Sequence, residues 1–238
     1  MLGESLFRCR LTREELPFAH GQYDSPWVQL PEWMDRMTKL LVIDTETGGI
    51  DPDRHSLLSV AAAVWADGRL DGEIEIFVAE PDITVTARAL EINRIDLIEH
   101  ARLAVPPADA LSQLLEFVAD HFATELAVGD QVVLVGHNVG FDIGFLRRLC
   151  RLAGAPFPAL FSHRSLDTAS VLRFLSLAGI VPPNAVASTE AFAFLGLCIP
   201  EGVRHTALGD ARATAELLTR LVGLVSPADV AATMGAAA

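Results

Sequence analysis

Lysine is almost missing from this chain of 238 residues. Only Lys39 among its 18 basic residues is a lysine, and 31 acidic residues outweigh them to give a formal net charge of −13. That balance argues against a protein that coats duplex nucleic acid, because such binders need a basic face to displace counterions from the phosphates. Phosphate would have to be met by arginine, whose planar fork suits its oxygens, or by cations gathered on the chain's own acids. Cysteine is scarce too: Cys9, Cys150 and Cys198 are scattered without a C-x-x-C pair, which disfavours a disulfide framework or structural zinc and fits a reducing, cytoplasmic setting. Long apolar runs are absent. None reaches the ~18 residues a bilayer span requires, and the opening MLGESLFRCRLTREEL carries acids where a signal peptide would be apolar. A soluble, non-secreted protein with no membrane partner is the expectation.

Apolar residues, at 51%, are plentiful enough to exclude a mostly disordered chain, and the length is ample for one large α/β domain with extensions. Residues 1–38 mix charges with Trp27 and Trp33 without a sustained period and read as an N-terminal arm. Residues 226–238, SPADVAATMGAAA, read as a flexible tail. The folded unit is expected over 39–225.

Leu40 to Ile43 is a short apolar run ending at Asp44, the pattern of a buried central strand. Leu57–Trp65 and Gly72–Val78 read as two more strands joined through the hairpin dipeptide Asp67-Gly68, making a meander. One helix is expected over Ala87–Glu99. A second follows Pro106-Pro107 over Ala108–Leu126, with Leu111, Leu114, Leu115, Val118 and Phe122 on one face. Then come a strand at Val132–Val135, a turn at Gly136-His137-Asn138, a helix over Phe141–Ala153 stopped by Gly154, a short strand near Ser165-Leu166, and helices over Asp167–Leu177 and Ala207–Val222.

Five polar residues at the ends of these segments carry the functional signal. Asp44 and Glu46, two apart, share one face if the strand continues through them, while Thr45 points the other way. The spacing alone is weak: chance supplies about one D-x-E in a chain this acidic, and Asp71-Gly72-Glu73 is such a decoy. Context separates the two, since only Asp44 ends an apolar strand. Asp142 shares a helix face with Phe145, Leu146 and Leu149, and Asp210 shares one with Ala213, Leu217 and Leu221, a stripe expected to face the sheet. Carboxylates on inward faces need partners, and metal ions would supply them. His205 stands five residues before Asp210, off the helical face, and is placed on the preceding loop; a neutral imidazole there suits a general base. His20, His55, His100, His121 and His163 are read as structural or surface residues.

On the segments VIDTETGG, VGHNVGFDIGFL, SLDT and HTALGDARAT, the chain resembles the DnaQ-like exonucleases of the DEDDh class, which includes the proofreading subunit of bacterial replicases and ribonuclease T, over about residues 39 to 223. The resemblance implies a ribonuclease H-like fold, a mixed five-stranded sheet flanked by helices. It also implies a metal-dependent 3′→5′ exonuclease acting on single-stranded DNA or RNA and releasing nucleoside 5′-monophosphates. Asp44, Glu46, Asp142 and Asp210 would hold two Mg²⁺ or Mn²⁺ ions, with His205 as general base. Thr47, Gly48 and Gly49 would cradle the terminal nucleotide. His137 and Asn138 are taken to form the turn that positions Asp142, and Asp167 to cap a helix.

This chain departs from its relatives at Ser59, where they often carry an acid, and at Ile92, near which some ribonuclease T-like members have an aromatic wedge. Arg147, Arg148 and Arg151 have the spacing of a solvated outer face more than of a phosphate clamp. An alternative is a polymerase-associated, proofreading-type accessory subunit acting mainly when docked on its partner. Monomer and homodimer are both open.

Overall fold

The computed structural model describes residues 39–122, 131–197, 199 and 205–225, so the expected arm and tail lie outside the described residues. Five strands form one mixed sheet in the order β3-β2-β1-β4-β5. β1 (Lys39–Thr47), β2 (Leu57–Ala66) and β3 (Arg69–Phe77) make the antiparallel meander, and β4 (Val132–Gly136) and β5 (Phe161–Asp167) add in parallel on the other side of β1. The hairpin between β2 and β3 turns where expected. Asp67 and Gly68 both take positive φ, 47° and 84°, the twist that a two-residue turn needs to match its flanking strands.

Alternation on the strands assigns the two faces. Leu41, Ile43, Val60, Ala62 and Val64 pack beneath α3 (Pro107–Phe122) and α4 (Gly140–Leu152) with Leu114, Val118, Phe145, Leu146 and Leu149. Val42, Ala61, Ala63, Trp65 and Val135 meet α7 (Ala207–Leu224) through Ala207, Ala211, Ala215 and Leu218. This second seam is built largely of alanine, which lets the helix axis lie close to the sheet; a larger residue there would overpack by about 1–3 kcal/mol. Trp65 closes the far end, its indole N–H donating to the Thr219 hydroxyl at 2.8 Å.

Two readings need correction. The stretch expected as one helix over 87–99 is two, α1 (Ala87–Asn93) and α2 (Leu97–Leu103). Arg94 breaks it in the left-handed region at φ 56°, and Asp96 restarts the chain by capping the Ile98 and Glu99 amides. Nor does the Asp210 stripe face the sheet. Ala213, Leu217 and Leu221 pack instead against Leu172 and Leu175 of α5 (Thr168–Leu177) and against Ala191 and Phe192 of α6 (Ser188–Phe194), a helix the periodicity did not show. α7 is therefore sandwiched between sheet and helices, and its alanine row, one step round from the Asp210 row, touches the strands. Among the described residues no helix is long and apolar enough to cross a membrane.

Candidate active site

β1 runs on past its apolar stretch, so Asp44 and Glu46 emerge on the α7 face and Thr45 on the α4 face. Asp210, in the first turn of α7, comes down over them. One carboxylate oxygen from each of Asp44, Glu46 and Asp210 lies within 4.8 Å of the other two. Among the described residues no cationic side chain pairs with Asp44 or Glu46. Burial pushes the Asp44 carboxyl well above its ordinary range, and Asp142, Asp210, Glu46 and Glu75 push it further. Glu46 is raised to about 8 by burial, then by Asp210, Glu75 and Asp142.

Asp142 approaches from the opposite face, at the N-terminus of α4; its charge bears on Asp44 and Glu46, but its carboxylate is not one of the three that meet within 4.8 Å. It is buried, and the Thr45 hydroxyl donates to its Oδ1 at 2.7 Å. Burial raises its pKa to about 7 against the opposing pull of that bond. The alternation that puts Thr45 on the far face of the strand puts it where Asp142 arrives.

His205 lies outside α7, as the five-residue offset required. It takes φ 63°, and its backbone N–H donates to Asp210 Oδ2 at 3.2 Å, while Thr206 caps the helix by accepting from the Gly209 amide at 3.1 Å. The two residues are thus tied through the backbone.

The Thr47-Gly48-Gly49 turn is held by the protein itself. Thr47 is buried and its hydroxyl donates to the Gly49 carbonyl at 2.8 Å; the Asn93 amide donates to the Thr47 carbonyl at 3.2 Å. A Cβ on Gly48 would stand 2.2 Å from the Thr84 carbonyl oxygen, and one on Gly49 would stand 2.5 Å from the His55 ring. The close approach that these glycines permit is therefore to neighbouring segments of the protein itself. Ile50 beyond them is 86% exposed, and Ile92 on α1 and Phe141 beside Asp142 are partly exposed.

The turn after β4 is built as expected. The Asn138 amide donates to Asp167 Oδ1 at 2.7 Å, Asp167 also caps α5, and His137 Nδ1 meets the Thr168 hydroxyl at 3.1 Å. Of the other histidines, His55 accepts from the Asp51 amide and His100 is buried against the Leu58 carbonyl, both structural. Of the arginines on α4, Arg147 and Arg151 are exposed, as the spacing predicts, and Arg148 is drawn inward. Arg148 forks onto Glu80 at 2.8 and 2.6 Å and reaches the Pro52 carbonyl at 3.0 Å, Arg151 pairs with Asp53, and Arg147 lies 4.2 Å over the Phe157 ring. Their spacing did not show that Glu80 and the 50–55 loop lie alongside.

Known proteins resemble this chain closely enough to place it. Ribonuclease T of Blochmanniella pennsylvanica is 30% identical over 195 residues, covering 76% of this chain and 83% of that protein. A DNA polymerase III subunit epsilon-like protein of Rhodobacter capsulatus is 33% identical over 192 residues, 79% of this chain but 24% of that longer protein. The fold matches the zinc-bound E. coli exonuclease I complex with single-stranded DNA at a TM-score of 0.65 and 18% identity, over 81% of this chain and 42% of that one. With residues 41–218 matching the exonuclease family typified by ribonuclease T, the chain belongs to that family.

Proposed function

We propose that the protein is a 3′→5′ exonuclease that hydrolyses the terminal phosphodiester of single-stranded DNA or RNA and releases nucleoside 5′-monophosphates. The observation that carries this reading is the convergence of Asp44, Glu46 and Asp210, with no cationic side chain to neutralise the first two. An all-oxygen donor set of crowded carboxylates fits hard divalent cations. Asp44, Glu46, Asp142 and Asp210 would hold two Mg²⁺ or Mn²⁺. When bound, such ions neutralise the phosphate, acidify water and stabilise a departing 3′ oxygen.

The chain's own residues do the rest. His205, tied to Asp210 through its backbone N–H, takes the proton from the attacking water. Thr45 fixes one oxygen of Asp142 and leaves the other for the cations. The rigid turn at Thr47, Gly48 and Gly49 forms the floor for the terminal nucleotide, and Ile50, Ile92 and Phe141 offer apolar surface to its base.

Purified protein given 5′-labelled oligonucleotides and Mn²⁺ should shorten them stepwise from the 3′ end, and Asp44→Ala should abolish this. Digestion that survives Asp44→Ala, or that proceeds from the 5′ end, defeats the reading. The likeness to the epsilon-like protein favours a second arrangement, in which the enzyme acts when docked on a polymerase through residues 1–38. Full activity after deleting those residues would count against it.

A further inference from the structure

One face of α4 meets a single loop. Gly144, Arg148 and Arg151 lie at i, i+4 and i+7 on that helix, and each contacts the segment 51–55 that follows the Thr47-Gly48-Gly49 turn. The Pro52 ring sits so close to Gly144 that a Cβ there would stand 3.2 Å from Pro52 Cγ. Arg148 donates to the Pro52 carbonyl at 3.0 Å, and Arg151 pairs with Asp53 at 2.8 Å. The next member of the row toward the start of the helix is the partly exposed Phe141, and the residue that leads into the loop is the exposed Ile50.

Segment 51–55 is tied into one piece. The Arg54 and His55 amides both donate to the Asp51 carbonyl, at 3.1 and 2.8 Å, and the Asp51 amide donates back to His55 Nδ1 at 3.1 Å. The His55 ring in turn backs onto Gly49. A shift at Pro52 is therefore passed to the turn that carries Gly49. The two polar links from this piece to α4 are unequal. The Arg151 and Asp53 side chains are both more than half exposed, where an ion pair holds weakly. The Arg148 side chain is only 15% exposed, and its other two nitrogens are locked onto Glu80, which also accepts from the Leu57 amide at the start of β2. A guanidinium makes all three of its bonds in one rigid plane, which an ammonium does not reproduce.

We propose that Arg148 is a positioning residue. From its buried pair with Glu80 it grips the Pro52 carbonyl, holds segment 51–55 on α4, and so sets where Gly49 and Ile50 stand relative to Phe141. The effect on substrate rests on the exonuclease reading; the grip itself does not. Asp142, at the other end of the row, has its own tether in the Thr45 hydroxyl. Loosening the loop therefore weakens the hold on the terminal nucleotide and spares the reacting atoms.

The test uses Arg148→Lys, which keeps a positive charge for Glu80 and gives up the fork, and Glu80→Gln, which removes the charge and keeps an acceptor for Leu57 and Arg148. On a single-stranded oligonucleotide with saturating Mn²⁺, Arg148→Lys should raise KM about fivefold with kcat within about twofold, and Glu80→Gln should stay within about twofold on both. Hydrogen exchange at the Arg54 and His55 amides should quicken in the Lys variant and not in the Gln variant. Both changes lower the melting temperature, so a role in stability alone would move KM in both variants or in neither. Equal rises in KM, or a wild-type KM in Arg148→Lys, overturn the proposal. If the wild type digests nothing while exchange at Arg54 and His55 still separates Lys from Gln, the exonuclease reading fails and the grip stands.

Discussion

Two places in this molecule bury acids, and they resolve the problem in opposite ways. At the shoulder of the sheet the Glu80 side chain is 1% exposed, but it receives both arms of Arg148 and the Leu57 amide at 2.9 Å. At the end of β1, Asp44 and Glu46 face each other and Asp210. The fold is therefore able to match a buried carboxylate with an arginine, and among the described residues it does not do so for Asp44 or Glu46. A buried acid without a partner is expensive. Its persistence at Asp44 and Glu46, with Asp210 brought against them from a distant segment, is what a site built for an added cation looks like.

The comparison breaks most sharply under substitution at each place. Asp44→Asn should lower exonuclease activity by at least about 10²–10³-fold, the scale of losing electrostatic stabilisation of a transition state. The same change should stabilise the metal-free protein at pH 8, by about 2–4 °C in Tm for each kcal/mol of relieved burial and repulsion. Glu80→Ala should do the reverse. Stripping one partner from a buried pair destabilises by about 3–5 kcal/mol, while kcat for the folded fraction stays near wild type. Thermal melts and kcat on the two variants decide it: a Tm that falls for Asp44→Asn or rises for Glu80→Ala would erase the contrast.

Much of this contrast was legible in the chain. The five residues were marked by where apolar runs end, and a carboxylate on an inward face announces itself because its neighbours at helical spacing are apolar. The meander, the parallel strands and the loop position of His205 followed from alternation, turn residues and offset. What could not be read were contacts set by tertiary arrangement. Arg148 is indistinguishable from a surface arginine until Glu80 is known to pass beside α4. Glu75 looks like a solvated residue of an edge strand until α7 is laid over it, and the turn inside 87–99 depended on a non-glycine residue, Arg94, adopting positive φ. The Asp210 stripe faced helices instead of strands because α7 has apolar neighbours on two sides.

Acidity sharpens the comparison further. Asp142 and Glu46 are raised from 3.8 and 4.5 to about 7 and about 8. Below the lower values folded and unfolded chains both hold these protons, and the contribution to stability is complete. Between them and the raised values only the folded chain does, so stability is lost as pH rises through that window. Metal-free protein should therefore melt at progressively lower temperature from pH 5 to pH 8. A divalent ion at a hundred times its Kd restores about 2.7 kcal/mol, and it binds more tightly as the carboxylates ionise, so Mn²⁺ should flatten the slope. Melts with chelator and with Mn²⁺ check this, and a chelated protein that gains stability over the range would contradict it.

Asp142 stands between the two extremes, since it has one neutral donor, Thr45, where Glu80 has an arginine and Asp44 has none. Thr45→Val keeps the shape and deletes the hydroxyl. A hydrogen bond to a charged group is worth about 1.5–3 kcal/mol, which sets an upper bound on the loss because a cation can take over part of the work. The bond holds the Asp142 pKa down against burial, so without it that pKa climbs above about 7 and less of the carboxylate is ionised at neutral pH. At subsaturating Mn²⁺ the variant should be several-fold slower at pH 7, and the acidic limb of its rate profile should move upward. By pH 9, or with excess Mn²⁺, the difference should close. A deficit of the same size at every pH would mean that Thr45 holds Asp142 in place by geometry alone, and the graded series from Glu80 through Asp142 to Asp44 would lose its middle member.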